Sequence, residues 1–148
     1  MIGVGLNQSA VDPEGELRRF EHKLQAGANF AVTQPVFDVD QLAPFFDRLE
    51  KAGARRIPVV ASLWPLTSFR NAEFMNNEVP GVSLPPAVME RMRKADTGEQ
   101  ARAEGLKIAQ ETLLQLRDLV QGVQIVAPFG RYAMAVEVAQ ILKEKAKV

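Results

Sequence analysis

Gln25-Ala-Gly-Ala-Asn-Phe-Ala-Val-Thr-Gln-Pro-Val-Phe-Asp38 holds the end of one helix, a whole strand and the cap of the next helix. Gly27 is the residue that stops a helix. Phe30 to Gln34 is a short apolar run of strand type, and Asp38 is an N-cap ahead of an amphipathic stretch. Outward from it the pattern recurs. Upstream, Ile2 to Leu6 reads as a strand, and Leu17, Phe20 and Leu24 lie at i, i+3, i+7 on a helix over 14–26. Asp12 caps that helix and Pro13 takes its first position. Downstream, Leu42, Phe45, Phe46 and Leu49 mark a second helix closed at Gly53, followed by a third strand over 57–63.

The long connection over 64–98 carries Pro65, Pro80, Pro85 and Pro86 and is expected to hold two short helices, about 68–76 and 86–94. The longest helix is predicted over 99–120, with Leu106, Ala109, Leu113, Leu116 and Val120 on one stripe. A fourth strand over 123–127 passes through Pro128-Phe-Gly130 into a last helix bearing Ala135, Val138, Ala139 and Leu142. The charged tail Lys143 to Lys147 is expected as a solvated helix end. Four βα units with short links give a parallel α/β fold with right-handed crossovers. The apolar strands predict a sheet covered on both faces. Two architectures fit: an open doubly wound sheet, or half of an eight-stranded barrel. Both place function just after the strands.

Composition narrows the classes. The 148 residues carry 18 basic and 18 acidic side chains and one His, with a formal net charge of zero. One domain over 1–148 is expected, too short for a complete β/α barrel of about 250 residues. The balanced charge offers no footprint for nucleic acid. The longest mainly apolar run, Ile57 to Leu63, is far short of a membrane span, and Met1 leads into the first strand with no basic leader. With no Cys there are no disulfides or thiolate metal sites. A cytoplasmic setting is the expectation.

At the rim, Gln34 can donate and accept at once, which suits a heterocyclic amide of the pterin or flavin kind; capping nearby backbone is an equal reading. Glu16, Arg19, His22 and Lys23 form one polar stripe, either a plain solvated face or a grip on a polyol phosphate. His22 has no partner at a motif spacing, so neither a catalytic triad nor a metal site is read here. Phe69, Arg70, Asn71 and Phe74 open a lid-like segment. Arg131 stands where a cation opposes a helix dipole, which favours a ligand such as a carboxylate. No phosphate-binding glycine loop is present.

The block 25–38, Ile57-Pro-Val-Val-Ala-Ser-Leu-Trp-Pro65, Phe69-Arg-Asn-Ala-Glu-Phe74, Val79-Pro80 and Gly105-Leu-Lys-Ile-Ala109 together resemble the methylenetetrahydrofolate reductase family. The opening Gly3-Val-Gly-Leu-Asn7 and the stretch Pro128-Phe-Gly-Arg-Tyr132 look most like its bifunctional branch, in which the reductase barrel follows a homocysteine S-methyltransferase domain. The resemblance implies the C-terminal half of a (β/α)8 barrel. In that family FAD passes hydride from NAD(P)H to methylenetetrahydrofolate. It implies FAD contacts at Asn7, Glu16, Arg19, His22 and Lys23, and folate contacts at Gln34, Asn71, Phe74 and Arg131, with Phe74 on an aromatic ring. The family's first four βα units and their acidic proton donor have no counterpart here, so no catalytic residue is assigned. Two unpaired sheet edges then predict a homodimer or assembly with the other half-barrel. A non-catalytic binding or structural piece is the alternative.

Overall fold

The computed structural model describes residues 1–95 and 97–145, with side chains as far as residue 142. The charged tail lies outside these residues beyond the backbone of Lys145. Strands β1 (Gly3–Leu6), β2 (Phe30–Pro35), β3 (Val59–Leu63) and β4 (Gly122–Ile125) form one sheet in the order β1-β2-β3-β4, every pair parallel. Between them run α1 (Pro13–Gln25), α2 (Leu42–Lys51), α3 (Phe69–Glu78), α4 (Pro86–Lys94) and α5 (Gly98–Leu116), and α6 (Tyr132–Lys145) follows β4. Sequential order has no switch point, which excludes the doubly wound alternative. It is the order of four successive units of a β/α barrel.

Local chemistry sets the element ends. The Asp12 side chain accepts from Gly15 N at 2.8 Å, and Pro13 opens α1. α1 and α2 end alike. Gly27 N donates to Leu24 O and Ala28 N to Lys23 O; Gly53 N donates to Glu50 O and Ala54 N to Leu49 O. Both glycines hold positive φ, 97° and 68°. The same Schellman cap therefore turns each helix into the next strand. Thr97 and Gln100 form a capping box at α5.

Several boundaries move. Asp38 caps a 3-10 turn over Val39–Gln41, with α2 beginning after it. β3 starts at Val59, whose N–H donates to Gln121 Oε1 at 2.9 Å. α5 stops at Leu116, four residues short of the predicted Val120, and β4 runs over Gly122–Ile125.

The larger correction concerns the faces. Leu6, Ala31, Val59, Ala61 and Leu63 are buried under the helices, against Phe20 and Leu24 of α1, Phe45 of α2 and Ala109, Leu113 and Leu116 of α5. Residues of opposite parity are mostly uncovered, with Ser62 buried as an exception. Gly3, Gly5 and Gln124 are exposed, and Phe30, Val32, Gln34 and Val60 are half-buried. The sheet is thus covered on one face only. An uncovered strand face and a doubly covered one can share the same apolar composition, because an apolar residue is written for whatever surface finally buries it.

The connection after β3 folds as a small layer of its own. Phe37, Leu66, Met75, Val82, Leu84, Met92 and Ile108 form its core. Arg91 of α4 binds Glu104 and Glu111 of α5, each at 2.5 Å. Glu111 first, and then Glu104, raise the Arg91 pKa above its ordinary value against the opposing effect of burial.

Candidate functional site

Because all four strands run the same way, the segments that follow them open at one end of the sheet: Asn7 to Ser9, Gln34 to Phe37, Trp64 to Leu66 and Val126 to Arg131. The lid reaches back across this end. Gly81, at φ 79°, lies against the Asn7 side chain so closely that a Cβ would collide with it. Ser83 lines a polar cleft of about 380 Å³ with Asn7, Gln8, Ser9, Gln41 and Arg48.

The residues expected to hold the cofactor are mostly engaged with one another. Glu16 is 4% exposed. Its Oε1 accepts from Asn7 N at 3.1 Å and lies 3.8 Å from Lys23 Nζ, while Oε2 accepts from Arg19 Nε at 3.0 Å. Lys23 Nζ also donates to Gly5 O at 2.7 Å. The cluster fastens α1 to the free edge strand. Two cations against one carboxylate leave a surplus positive charge on its outer side. Asn7 Oδ1 accepts from Ser9 N at 3.1 Å and so closes a local turn. His22 is exposed and stands outside the cluster.

On the substrate side, Gln34 sits at the end of β2 on the uncovered face, and its amide has no hydrogen-bond partner among the described residues. Its carbonyl and that of Pro35 both accept from Gln8 Nε2 at 3.3 Å. Asn71 is in the first turn of α3. Its N–H donates to Ser68 Oγ at 3.0 Å and its Oδ1 accepts from Thr67 N at 3.2 Å, which leaves Nδ2 free. Phe74 is 56% exposed on α3. Arg131, exposed just before α6, makes no ion pair among the described residues.

Three features escape the sequence reading. Gln8 ties the ends of β1 and β2, and its Oε1 is buried without a partner. Thr33 Oγ1 accepts from Ser62 N at 3.0 Å where the β2–β3 register shifts, and Ser62 Oγ accepts from Trp64 Nε1 at 3.0 Å. Phe129 holds φ at 51°, a strained conformation for a bulky side chain, which costs about 1–3 kcal/mol. Of these, Trp64 was legible as the single Trp, standing directly after a strand. Gln8 was not, because its partners lie 26 and 27 residues away, and Phe129 gives no sign because a left-handed φ is marked in sequence by glycine.

Comparison with known proteins agrees with this architecture. A protein from Clostridium thermocellum that binds two copies of 5-methyl-5,6,7,8-tetrahydrofolic acid shares the fold at a TM-score of 0.66 and 17% identity, covering 97% of this chain and 54% of that one. Methylenetetrahydrofolate reductase 2 of Schizosaccharomyces pombe is 27% identical over 115 residues, which are 75% of this chain and 18% of that protein. The chain thus spans about half of the one and under a fifth of the other. The family model for methylenetetrahydrofolate reductase matches residues 6–144. With that match running from the end of β1 through α6, over the strands and the lid alike, the chain belongs to the methylenetetrahydrofolate reductase family.

Proposed function

We propose that this chain forms the folate-binding half of a reductase barrel that converts 5,10-methylenetetrahydrofolate to 5-methyltetrahydrofolate with electrons from NAD(P)H. The observation that carries this reading is the free amide of Gln34 on the open sheet face, at the end where all four strands finish. A side-chain amide that donates and accepts matches the paired donor and acceptor of a pterin edge. Asn71 Nδ2 and the Arg131 guanidinium add a second donor and a cation suited to the carboxylates of a folate tail. Phe74 adds an exposed ring on α3.

FAD supplies hydride transfer when bound. The residues present fit its anionic part. Arg19 and Lys23 together outweigh Glu16 by one charge at the β1 edge, where a diphosphate can lie; Asn7 adjoins that ground, and His22 is exposed one residue before Lys23. Gly5 leaves open space beside it. This chain's own work in the reaction is to hold the folate and to orient it over the open face.

A second reading, binding without turnover, draws on the uncovered face itself. Its residues Gly3, Gly5, Phe30, Val32, Val60 and Gln124 carry no charge. A second copy of this chain or four further βα units would cover them, and catalysis would await that assembly. Calorimetric titration with 5-methyltetrahydrofolate tests the main reading. We expect binding by the full chain and about tenfold weaker binding by Gln34→Ala, as for loss of one polar contact to a buried ligand. Unchanged affinity removes Gln34 from the site. Bound flavin with no folate-dependent oxidation of NAD(P)H selects the second reading.

A further inference from the structure

The sheet ends in two free edges, and neither is guarded by its own side chains. β1 reads Gly-Val-Gly-Leu and β4 reads Gly-Val-Gln-Ile, with no charge and no Pro in either. Charges and prolines are what usually keep a free strand from pairing. Alternation along a strand tells which backbone groups face outward. Ile2 O accepts from Asn29 N on the β2 side, so Gly3 and Gly5 turn their N–H and C=O groups away from the sheet. Val126 N donates to Leu63 O, so Val123 and Ile125 turn theirs outward at the far edge. Of these outward groups, Gly5 O is taken by Lys23 Nζ at 2.7 Å.

Exposed apolar side chains gather at the same two edges. Ile2, on the helix side of β1, is 52% exposed, and Tyr132 and Val136, one turn apart on α6, are 76% and 55% exposed. A right-handed connection carries the helix after a strand towards the strand that comes next. By that rule α6 lies to the outer side of β4, where the sheet of the described residues has no further strand.

We propose that one occupant fills both edges, a second copy of this chain: β4 of each copy pairs in parallel with β1 of the other, and the two sheets close into an eight-stranded, two-fold barrel. The proposal rests on the second reading above, assembly with a further copy, and gives that assembly its geometry. Eight strands make a barrel whose interior side chains just fill. The uncharged bare faces become that interior.

The register follows as well. Eight parallel strands close with a shear of about 8, so half a turn shifts the ladder by about four residues. One rung runs from Gly5, late in β1, through Val32 and Val60 to Gly122, the first residue of β4. Continued in that direction, the shift sets Val123 opposite the partner's Ile2 and Ile125 opposite the partner's Val4. An even shift keeps every side chain on its own face. It also lets Gly3 N–H of one copy donate to Val123 O of the other, and Gly5 N–H donate to Ile125 O, with Gly5 O left to Lys23. The anion ground of Arg19 and Lys23 stands at the β1 edge. Closure brings to it the segment after the partner's β4, which ends in the partner's Arg131, so each such ground is made by two copies.

The chain has no Cys, so an introduced pair reports alone. Ile2→Cys combined with Val123→Cys is the test. Within one chain these positions lie three strand spacings apart, about 14 Å, beyond the reach of a disulfide. Across the seam their Cα atoms come within about 5 Å. Mild oxidation of the full chain is expected to turn the 16.3 kDa band of a denaturing gel into a single band of twice that mass. Each single variant should stay uncrosslinked, because the two-fold axis puts identical residues on opposite seams. A cross-link in either single variant overturns the register. A ladder of longer products from the double variant overturns ring closure, since it marks open head-to-tail pairing. A folded double variant with the mass of two chains by light scattering and no cross-link overturns the barrel, yet keeps assembly through the bare face. The mass of one chain overturns both. Should the double variant fail to fold, hydrogen exchange on the wild-type chain decides. The amides of Gly3, Gly5, Val123 and Ile125 should exchange more slowly as concentration rises, and rates independent of concentration overturn the proposal.

Discussion

Glu16 shows how one residue can change meaning between sequence and structure. Its i, i+3 and i+7 relation to Arg19 and Lys23 is visible in the chain and suits a solvated stripe or a phosphate grip equally well. Only the fold brings Asn7 N–H onto its carboxylate and buries that carboxylate to 4% exposure. Its first duty is therefore to join α1 to the end of β1, and what remains for a ligand is the surplus charge of the two cations. Glu16→Ala strips partners from a backbone N–H and from both cations, and should lower stability by about 1–3 kcal/mol in urea denaturation. Glu16→Gln keeps an acceptor for Asn7 N–H and should cost less. Equal stability of Glu16→Ala and the wild-type chain would assign the carboxylate to a ligand instead.

Among the elements, the two Schellman caps at Gly27 and Gly53 and the cap at Asp12 were legible because capping is local: donor, acceptor and glycine lie within six residues of one another. The end of α5 and the start of β3 were not, since they depend on partners far along the chain. Gln121, for example, donates its N–H to Val59 O and accepts from Val59 N, which ends the helix approach and opens the strand. α5 also meets the lid at close range. Gly105 lies against the Leu66 carbonyl, with no room for a Cβ. In an open helix Gly→Ala would stabilise by about 1 kcal/mol. Here backbone must shift to admit the methyl group, and overpacking costs about 1–3 kcal/mol. Gly105→Ala should therefore lower the melting temperature, and a rise would show that α5 and Leu66 separate freely.

For the whole molecule the governing fact is the bare face of the sheet. Phe30, Val32 and Val60 stand there half-buried, and full burial of such side chains is worth about 1.5–3 kcal/mol each. β1 and β4 both leave an unpaired edge. The chain should accordingly associate through this face in solution. Light scattering at rising concentration is expected to exceed the 16.3 kDa of one chain. Val32→Asp should restore that mass, because association would then bury an unpaired charge. A wild-type mass of one chain at every concentration would count against the association. No helix among the described residues is long and apolar enough to cross a membrane.

The amino-acid order by itself determined the run of βα units, the caps that delimit the early helices, and the end of the sheet at which chemistry would gather. These follow from periodicity and from turn chemistry that acts over a few residues. Which face of the sheet stays open, which polar groups at the rim are already spoken for, and the tie of Gln8 to the end of β2 were decided by tertiary structure. Each depends on how the elements pack, which brings Asn7 onto Glu16, Gln8 onto the end of β2 and Ser62 onto Thr33, and a linear pattern carries no record of such meetings until packing sets them.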